Sequence, residues 1–475
     1  LIAGQIYPTT ASRFNLLAYD APGSPGTINI KSGVARDLPL SAAGELNFFA
    51  TSIVQGGTLR APFGTIRLGW DGTGTAPFSD PVTGTLRTLP VASDVKLSAR
   101  SETSVSAIDP RTGRALTIPY GIVSGGDSWI DPSGVDITAS GPPERKILIG
   151  AQNLTTEAGS LIDIRGGGDL YAYRFVAGNG GSKDVLLSEG SYAILPGYDS
   201  TYDPYAPFNP RSDAFGDDPG YLNSTLKVGD SIFLSQNGRV PAGNYTLLPA
   251  RYSLQPGGYL VTPQSGPPVG SFQLPDGSSM VSGYRFNTVD FGTGAYVQSR
   301  YELAPGEVVR QRSAFEDSFA NTFFRESAAA LKIDVPRLPG DSGRLVLQAT
   351  VSATLNGTVA AKALAAGRGG LVDISSVSDI FIGGGSRTSG PAGSLFLRTE
   401  QLNAMGAESL LIGLLRWPGC GPLPLPNCPA NCLPTGRPNC RPTVHPIPPP
   451  LCFWCARATP KAFKIGTIWC SPAWG

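Results

Sequence analysis

Gly26-Thr-Ile-Asn-Ile30, Gly44-Glu-Leu-Asn-Phe48 and Gly64-Thr-Ile-Arg-Leu68 repeat one small device, a glycine followed by apolar side chains at every second position. Period-two alternation marks a strand with one buried face, because successive side chains leave the backbone on opposite sides. The glycines stand 18 and 20 residues apart, which leaves room in each copy for two or three short strands and their corners. A second series, Gly343-Arg-Leu-Val-Leu347, Gly370-Leu-Val-Asp-Ile374 and Gly393-Ser-Leu-Phe-Leu397, follows at spacings of 27 and 23. Val95-Lys-Leu-Ser-Ala99, Ile147-Leu-Ile-Gly-Ala151 and Gly159-Ser-Leu-Ile-Asp-Ile164 fall between the two series.

Repeats of this length made of strands and turns predict a solenoid, with equivalent strands of successive coils pairing in parallel about 4.8 Å apart. A sandwich would need tight hairpin turns such as Asn-Gly between neighbouring strands, and these are scarce. The fold class expected is therefore all-β, a parallel β-helix, with glycine at the coil corners where backbones approach closely. Coils of about 20 residues over 1–184 and 336–413 would give roughly a dozen rungs and a rod of about 60 Å.

The texture changes over 185–335, where the glycine-led unit disappears and tyrosine and proline become dense. This reads as an inserted β-rich domain. Its turns are Leu195-Pro-Gly-Tyr198, Pro241-Ala-Gly-Asn-Tyr245, Gln255-Pro-Gly-Gly-Tyr259 and Pro305-Gly306, and Pro-Gly suits the centre of a type II turn. Asn237-Gly238 is a hairpin signal. One short helix is expected, opened by a capping box of Ser313 and Glu316 and carrying Phe315, Phe319 and Phe323 on one face.

The final stretch, 414–475, is an irregular tail. It contains all seven cysteines (Cys420, Cys428, Cys432, Cys440, Cys452, Cys455 and Cys470) and the single histidine, His445. Disulfides or a zinc knuckle are the alternatives for such a set. The favoured reading is a shift of reading frame, since the repeat breaks in mid-rung at Leu411-Ile412-Gly413 and gives way to Pro, Arg, Cys and Trp.

Composition narrows the chemistry. Of 475 residues, 41% are hydrophobic and 15% charged, enough apolar material for a long core. Lysine plus arginine (37) nearly balances aspartate plus glutamate (36), which argues against nucleic acid or an anionic membrane as partner. One histidine excludes most triads and His-rich metal sites. The opening Leu-Ile-Ala-Gly-Gln-Ile-Tyr has neither initiator methionine nor signal peptide, so the chain is expected to be an internal piece of something longer.

The glycine-led rungs, with Val228-Gly-Asp-Ser231, Ala242-Gly-Asn-Tyr-Thr-Leu-Leu-Pro-Ala250 and Tyr252-Ser-Leu-Gln-Pro-Gly257, resemble the filamentous haemagglutinin family. More narrowly they resemble its large two-partner-secretion exoproteins associated with cell-surface signalling. The resemblance spans most of 1–413. It implies a right-handed parallel β-helix, export through an outer-membrane β-barrel transporter, and a secreted or cell-surface role in adhesion or signalling towards a host-cell or surface receptor. The family's amino-terminal secretion domain is not visible.

No catalytic, cofactor or metal residues are assigned, and the chain is read as a non-enzyme. The competing reading is a β-helix polysaccharide lyase or hydrolase, for which Asp163, Asp373 and neighbouring Arg165 are the carboxylates and base to consider. Alternation places both carboxylates on the solvent side of their strands. Calcium binding by Asp199, Asp203, Asp213, Asp217 and Asp218 lacks the spacing of known loops. Gly166-Gly167-Gly168 and Gly383-Gly384-Gly385 lack the Lys-Ser/Thr of a phosphate cradle. Asn153, Asn223, Asn244 and Asn356 lie in glycosylation triplets. The candidate binding surface is Tyr198, Tyr202, Tyr205, Tyr245 and Tyr259, since tyrosine combines apolar area with a hydrogen-bonding tip. Packing of the inserted domain is the other role open to these rings.

Overall fold

The computed structural model describes residues 1–34, 36–73, 88–110, 112–178, 181–198, 200, 203–204, 226, 228–268, 270–286, 297–363, 367–376, 378–387, 389–391, 394–413, 455–457 and 468–469. The chain is predominantly β, with long parallel sheets organised as columns of strands. Column one stacks β2 (Arg13–Ala18), β4 (Glu45–Ala50), β7 (Thr65–Leu68), the first half of β12 (Lys146–Thr156), the first half of β24 (Arg344–Leu355), β26 (Leu371–Ser375) and β29 (Ser409–Ile412), every pair parallel. Column two stacks β1 (Ile2–Ala3), β3 (Thr27–Ser32), β5 (Ser52–Gly56), β8 (Asp94–Leu97) and the second halves of β12 and β24. Column three contains β6 (Thr58–Arg60), β9 (Glu102–Ser104), β13 (Leu161–Asp163) and β25 (Thr358–Ala360), again parallel.

The alternation read from sequence is what fills the space between the columns. Leu46, Ile66, Ile147, Leu345 and Val372 occupy one register row, and Phe48, Leu68, Ile149, Leu347 and Ile374 the next. All ten belong to one core cluster that also takes Ile28, Ile53, Val95 and Leu154 from column two and Leu59 and Ile162 from column three. Each such side chain contributes about 1.5–3 kcal/mol on burial, so the core is a sum of identical layers. The glycines before β4, β7, β24 and β26 are required by space. A Cβ on Gly64 would stand 2.0 Å from the carbonyl oxygen of Gly44, and one on Gly343 would stand 2.7 Å from that of Arg145.

Among the described residues column one holds seven strands, which at about 4.8 Å per step span about 29 Å. Among the described residues, two longer excursions leave the columns. After β9 the chain forms β10 (Thr117–Ser124) and β11 (Ser128–Ile130), which join β14 (Asp169–Phe175) and β23 (Phe315–Phe319) in a separate mixed sheet. After β13 it departs for the longer excursion. There β15 (Tyr192–Ile194), β16 (Ser231–Leu234), β17 (Gly243–Thr246), β18 (Leu248–Pro249), β19 (Tyr259–Gln264), β20 (Phe272–Gln273), β21 (Ser279–Phe286) and β22 (Val297–Pro305) build one antiparallel sheet. Asn237 and Gly238 do lie between paired strands, β16 and β17, but inside an eight-residue connection and not a two-residue turn. Gln255–Gly258 closes as a type II turn, with Gly257 at φ 77°.

The expected helix is displaced. Ser313 ends α1 (Gly306–Arg312) and does not cap a new helix; Phe315–Phe319 is β23, and α2 (Ala320–Leu331) begins only afterwards. Strand geometry wins because Phe315 packs edge-on against Tyr173 and Phe319 packs tilted against Tyr171 across the β14–β23 pair, an alternation that an i, i+4 reading of phenylalanines conceals. A third helix, α3 (Thr399–Ala404), lies between β28 (Leu395–Arg398) and β29, and β28 pairs in parallel with β27 (Ile380–Gly383). The frameshift, disulfide and zinc readings of the tail lie almost wholly outside the described residues. Its two described segments, β30 (Cys455–Arg457) and β31 (Ile468–Trp469), run antiparallel to β29 and β27.

Candidate functional site

Buried Arg145, Asp163 and Asp341 gather where the longer excursion leaves and rejoins the columns. The outgoing chain runs through Ile164–Gly168 and the returning chain through Pro336–Ser342. The two are tied by the Gly167 amide donating to the Pro339 carbonyl (3.1 Å), the Gly343 amide to that of Ile164 (2.8 Å), and the Gly166 amide to Ser342 Oγ (2.9 Å). Gly166 is obligatory here, since a Cβ would stand 2.3 Å from the Asp341 carbonyl carbon.

Arg145 closes this neck. It occupies the corner slot that Gly44, Gly64, Gly343 and Gly370 fill in other layers of column one, immediately before the paired residue of its strand. Its guanidinium is buried and donates to the carbonyls of Arg165 (3.0 Å), Gly167 (2.8 Å), Asp341 (3.2 Å) and Pro339. It lies 4.4 Å from the centroid of the Phe63 ring. Burial lowers its proton affinity to about 9, with Asp163, Asp341 and Asp169 pulling the other way. Asn321 on α2 adds a second staple: Nδ2 donates to the Gly168 carbonyl (3.0 Å) and Oδ1 accepts from the Gly340 amide (2.7 Å). Its amide donates to Asp169 Oδ1 (3.0 Å), whose carboxyl burial pushes up.

The carboxylates singled out from sequence are not solvent-facing. Asp163 is 2% exposed and Asp373 fully buried. Alternation does turn them away from the aliphatic core, but arginines cover them. Arg165 grips Asp163 at 2.9 and 2.7 Å, and Arg344 grips Asp373 at 2.7 and 2.6 Å. They lie on columns three and one respectively, each committed to its own ion pair, and the structure does not bring them together as a pair. Beside the neck, Phe63, Pro142, Pro143, Arg145, Arg337 and Asp341 outline a depression enclosing only about 10 Å³. That is room for one water, against the several hundred cubic ångströms of an ordinary ligand pocket. Among the described residues no group of three or more His, Cys, Asp or Glu could hold a metal, and no helix is long and apolar enough to cross a membrane.

The tyrosines fall in two places. Tyr245 is 6% exposed, belongs to the core of the antiparallel sheet, and donates to the Pro241 carbonyl at 2.7 Å. Tyr259 packs half-buried against the same core, its hydroxyl 3.4 Å from the Arg239 carbonyl. Tyr198 packs against Ala193, Leu248 and Tyr252 beside Leu40, where burial drives its hydroxyl well above the usual range. Tyr202 and Tyr205, like Asp199, Asp213, Asp217 and Asp218, lie outside the described residues.

Sequence reading passed over Arg145 and Asn321. The signal for Arg145 was present: Glu144-Arg-Lys-Ile-Leu-Ile149 carries arginine where sister strands carry glycine. The chain matches no known family's sequence model, no curated protein and no solved structure.

Proposed function

We propose that this chain is a non-catalytic, secreted or surface-displayed bacterial exoprotein acting in adhesion or cell-surface signalling. In this reading the strand columns are coils of a right-handed parallel β-helix. They present the antiparallel sheet of Tyr192–Pro305 to a receptor, and export uses an outer-membrane β-barrel transporter. The observation that supports it most is the unbroken parallel register of column one from β2 to β29. It fits a scaffold assembled from repeated layers that tolerates a large outward module at one corner. The glycine-led rungs and the Ala242–Ala250 stretch that resemble the filamentous haemagglutinins point the same way.

The test is to replace 169–335 with a short glycine linker in the displayed protein, joining ends next to the hydrogen-bonded pair Gly167 and Pro339. Attachment to host cells and signalling output are then scored separately. The reading expects the columns to persist by circular dichroism while attachment or signalling is lost. Undiminished attachment and signalling by the shortened protein would overturn it.

A further inference from the structure

Register fixes which side chains share the outer face of column one. One row runs Arg13, Glu45, Thr65, Lys146, Arg344, and Arg67 stands two residues along β7 from Thr65, diagonal to Lys146. Two of these cations are matched: Arg13 holds Glu45 at 2.7 Å and Arg344 holds Asp373 at 2.6 Å. Arg67 and Lys146 are not. Neither makes an ion pair or side-chain hydrogen bond among the described residues, and exposed Glu144 lies beyond ion-pair reach of Lys146.

Both side chains are half-buried, and Arg67 Nε is fully covered without an acceptor. Burial lowers the proton affinity of each, with Glu45 pulling the other way at Arg67 and Glu144 and Asp373 at Lys146, where Arg344 and Arg67 add to the lowering. A strong fork donor and a point charge thus share a partly dry surface, flanked on either side by acids already engaged. Two cations on neighbouring strands, neither with an ion-pair partner among the described residues, match one doubly charged, multiply accepting anion.

We propose that Arg67 and Lys146 form a binding site for a tetrahedral oxyanion, a sulfate or phosphate group, on the outer face of column one. Inorganic sulfate, inorganic phosphate and glucose 6-phosphate are titrated by calorimetry, with sodium chloride matching ionic strength. General exclusion of sulfate from protein surfaces stabilises without saturating, so saturable binding is the signature. Glucose 6-phosphate binding as well as the inorganic ions identifies the group as carried on a larger molecule; binding of the inorganic ions alone identifies a free ion.

Arg67→Gln and Lys146→Gln are each expected to weaken binding at least about tenfold, the scale of one lost charge-assisted hydrogen bond. Lys31→Gln, at an exposed cation of column two, should leave it unchanged. Should a glutamine variant misfold, Arg67→Lys keeps the charge, removes the fork, and is expected to weaken binding. Absence of saturable binding by the parent chain overturns the proposal, as does unchanged affinity in the folded Arg67 and Lys146 variants.

Discussion

Replacing Arg145 with methionine keeps most of the stem volume and removes the guanidinium that closes the neck. Four carbonyl acceptors lose a charged donor, three of them at 2.8–3.2 Å. Hydrogen bonds to a charged group contribute about 1.5–3 kcal/mol each, a gross loss of roughly 6–12 kcal/mol. Relief from burying a guanidinium returns several kcal/mol of that. The net expectation is a destabilisation of about 3–5 kcal/mol, since the carbonyls of Gly167 and Asp341 stay buried and would need other donors. Urea unfolding gives the magnitude, and amide hydrogen exchange gives the location. The amides of Gly166, Gly167 and Gly343 should lose protection, while those of β4 and β7 should keep theirs relative to global stability. Arg145→Lys should fall between, because an ammonium cannot reach carbonyls on both arms of the neck in a planar fork. A methionine variant within about 1 kcal/mol of the parent, with neck amides equally protected, would refute the claim that Arg145 holds the excursion closed.

Other consequences are as direct. Asp373→Ala leaves Arg344 buried without its carboxylate, and calorimetry should report a loss of about 3–5 kcal/mol; a stable variant that instead lost a polysaccharide-cleaving activity would assign Asp373 to catalysis. Gly64→Ala drives a methyl into the Gly44 carbonyl and should cost about 3 kcal/mol or more, whereas Gly197→Ala, with nothing within 4 Å, should fall within about 0.5 kcal/mol of the parent. Burial pushes the Asp341 carboxyl up, but hydrogen bonds from Arg368 and the Leu338 amide more than reverse this, leaving it below the ordinary 3.8. A carboxyl lowered in the folded state adds stability that is present above the unfolded value and is lost as pH falls through the folded one. Asp341→Asn should therefore lower the midpoint at pH 7 and flatten its decline below about pH 4, a result read from denaturation curves between pH 2 and 7.

The glycine-led column strands were legible because they need only local information: a glycine where backbones touch, then alternation. Leu46 with Phe48 and Ile147 with Ile149 announce their facing without reference to any partner. The excursions were less legible, because their elements depend on neighbours distant in sequence. Phe315 and Phe319 match a helix period until Tyr171 and Tyr173 arrive from β14 to make a strand of them. Asp163 and Asp373 looked solvated because alternation tells which side of a sheet a residue takes, not whether an arginine lies over it. Arg67 and Lys146 become neighbours only once 65–68 and 146–149 are placed in register.

The join between β12 and β24 has a bearing on how the molecule assembles. Lys146 pairs with Arg344, 198 positions later, although the step is sterically the same as that between Glu45 and Thr65, 20 positions apart. Bringing together ends separated by a tenfold longer tether costs about 2 kcal/mol more in loop entropy. The cost disappears from that step when the antiparallel sheet and α2 have already drawn Gly168 and Gly340 onto Asn321, because the columns then meet across a preformed bridge. Order of events thus favours the excursion maturing first and the later layers templating on its base, so that slow refolding of the sheet would delay everything C-terminal to Pro336.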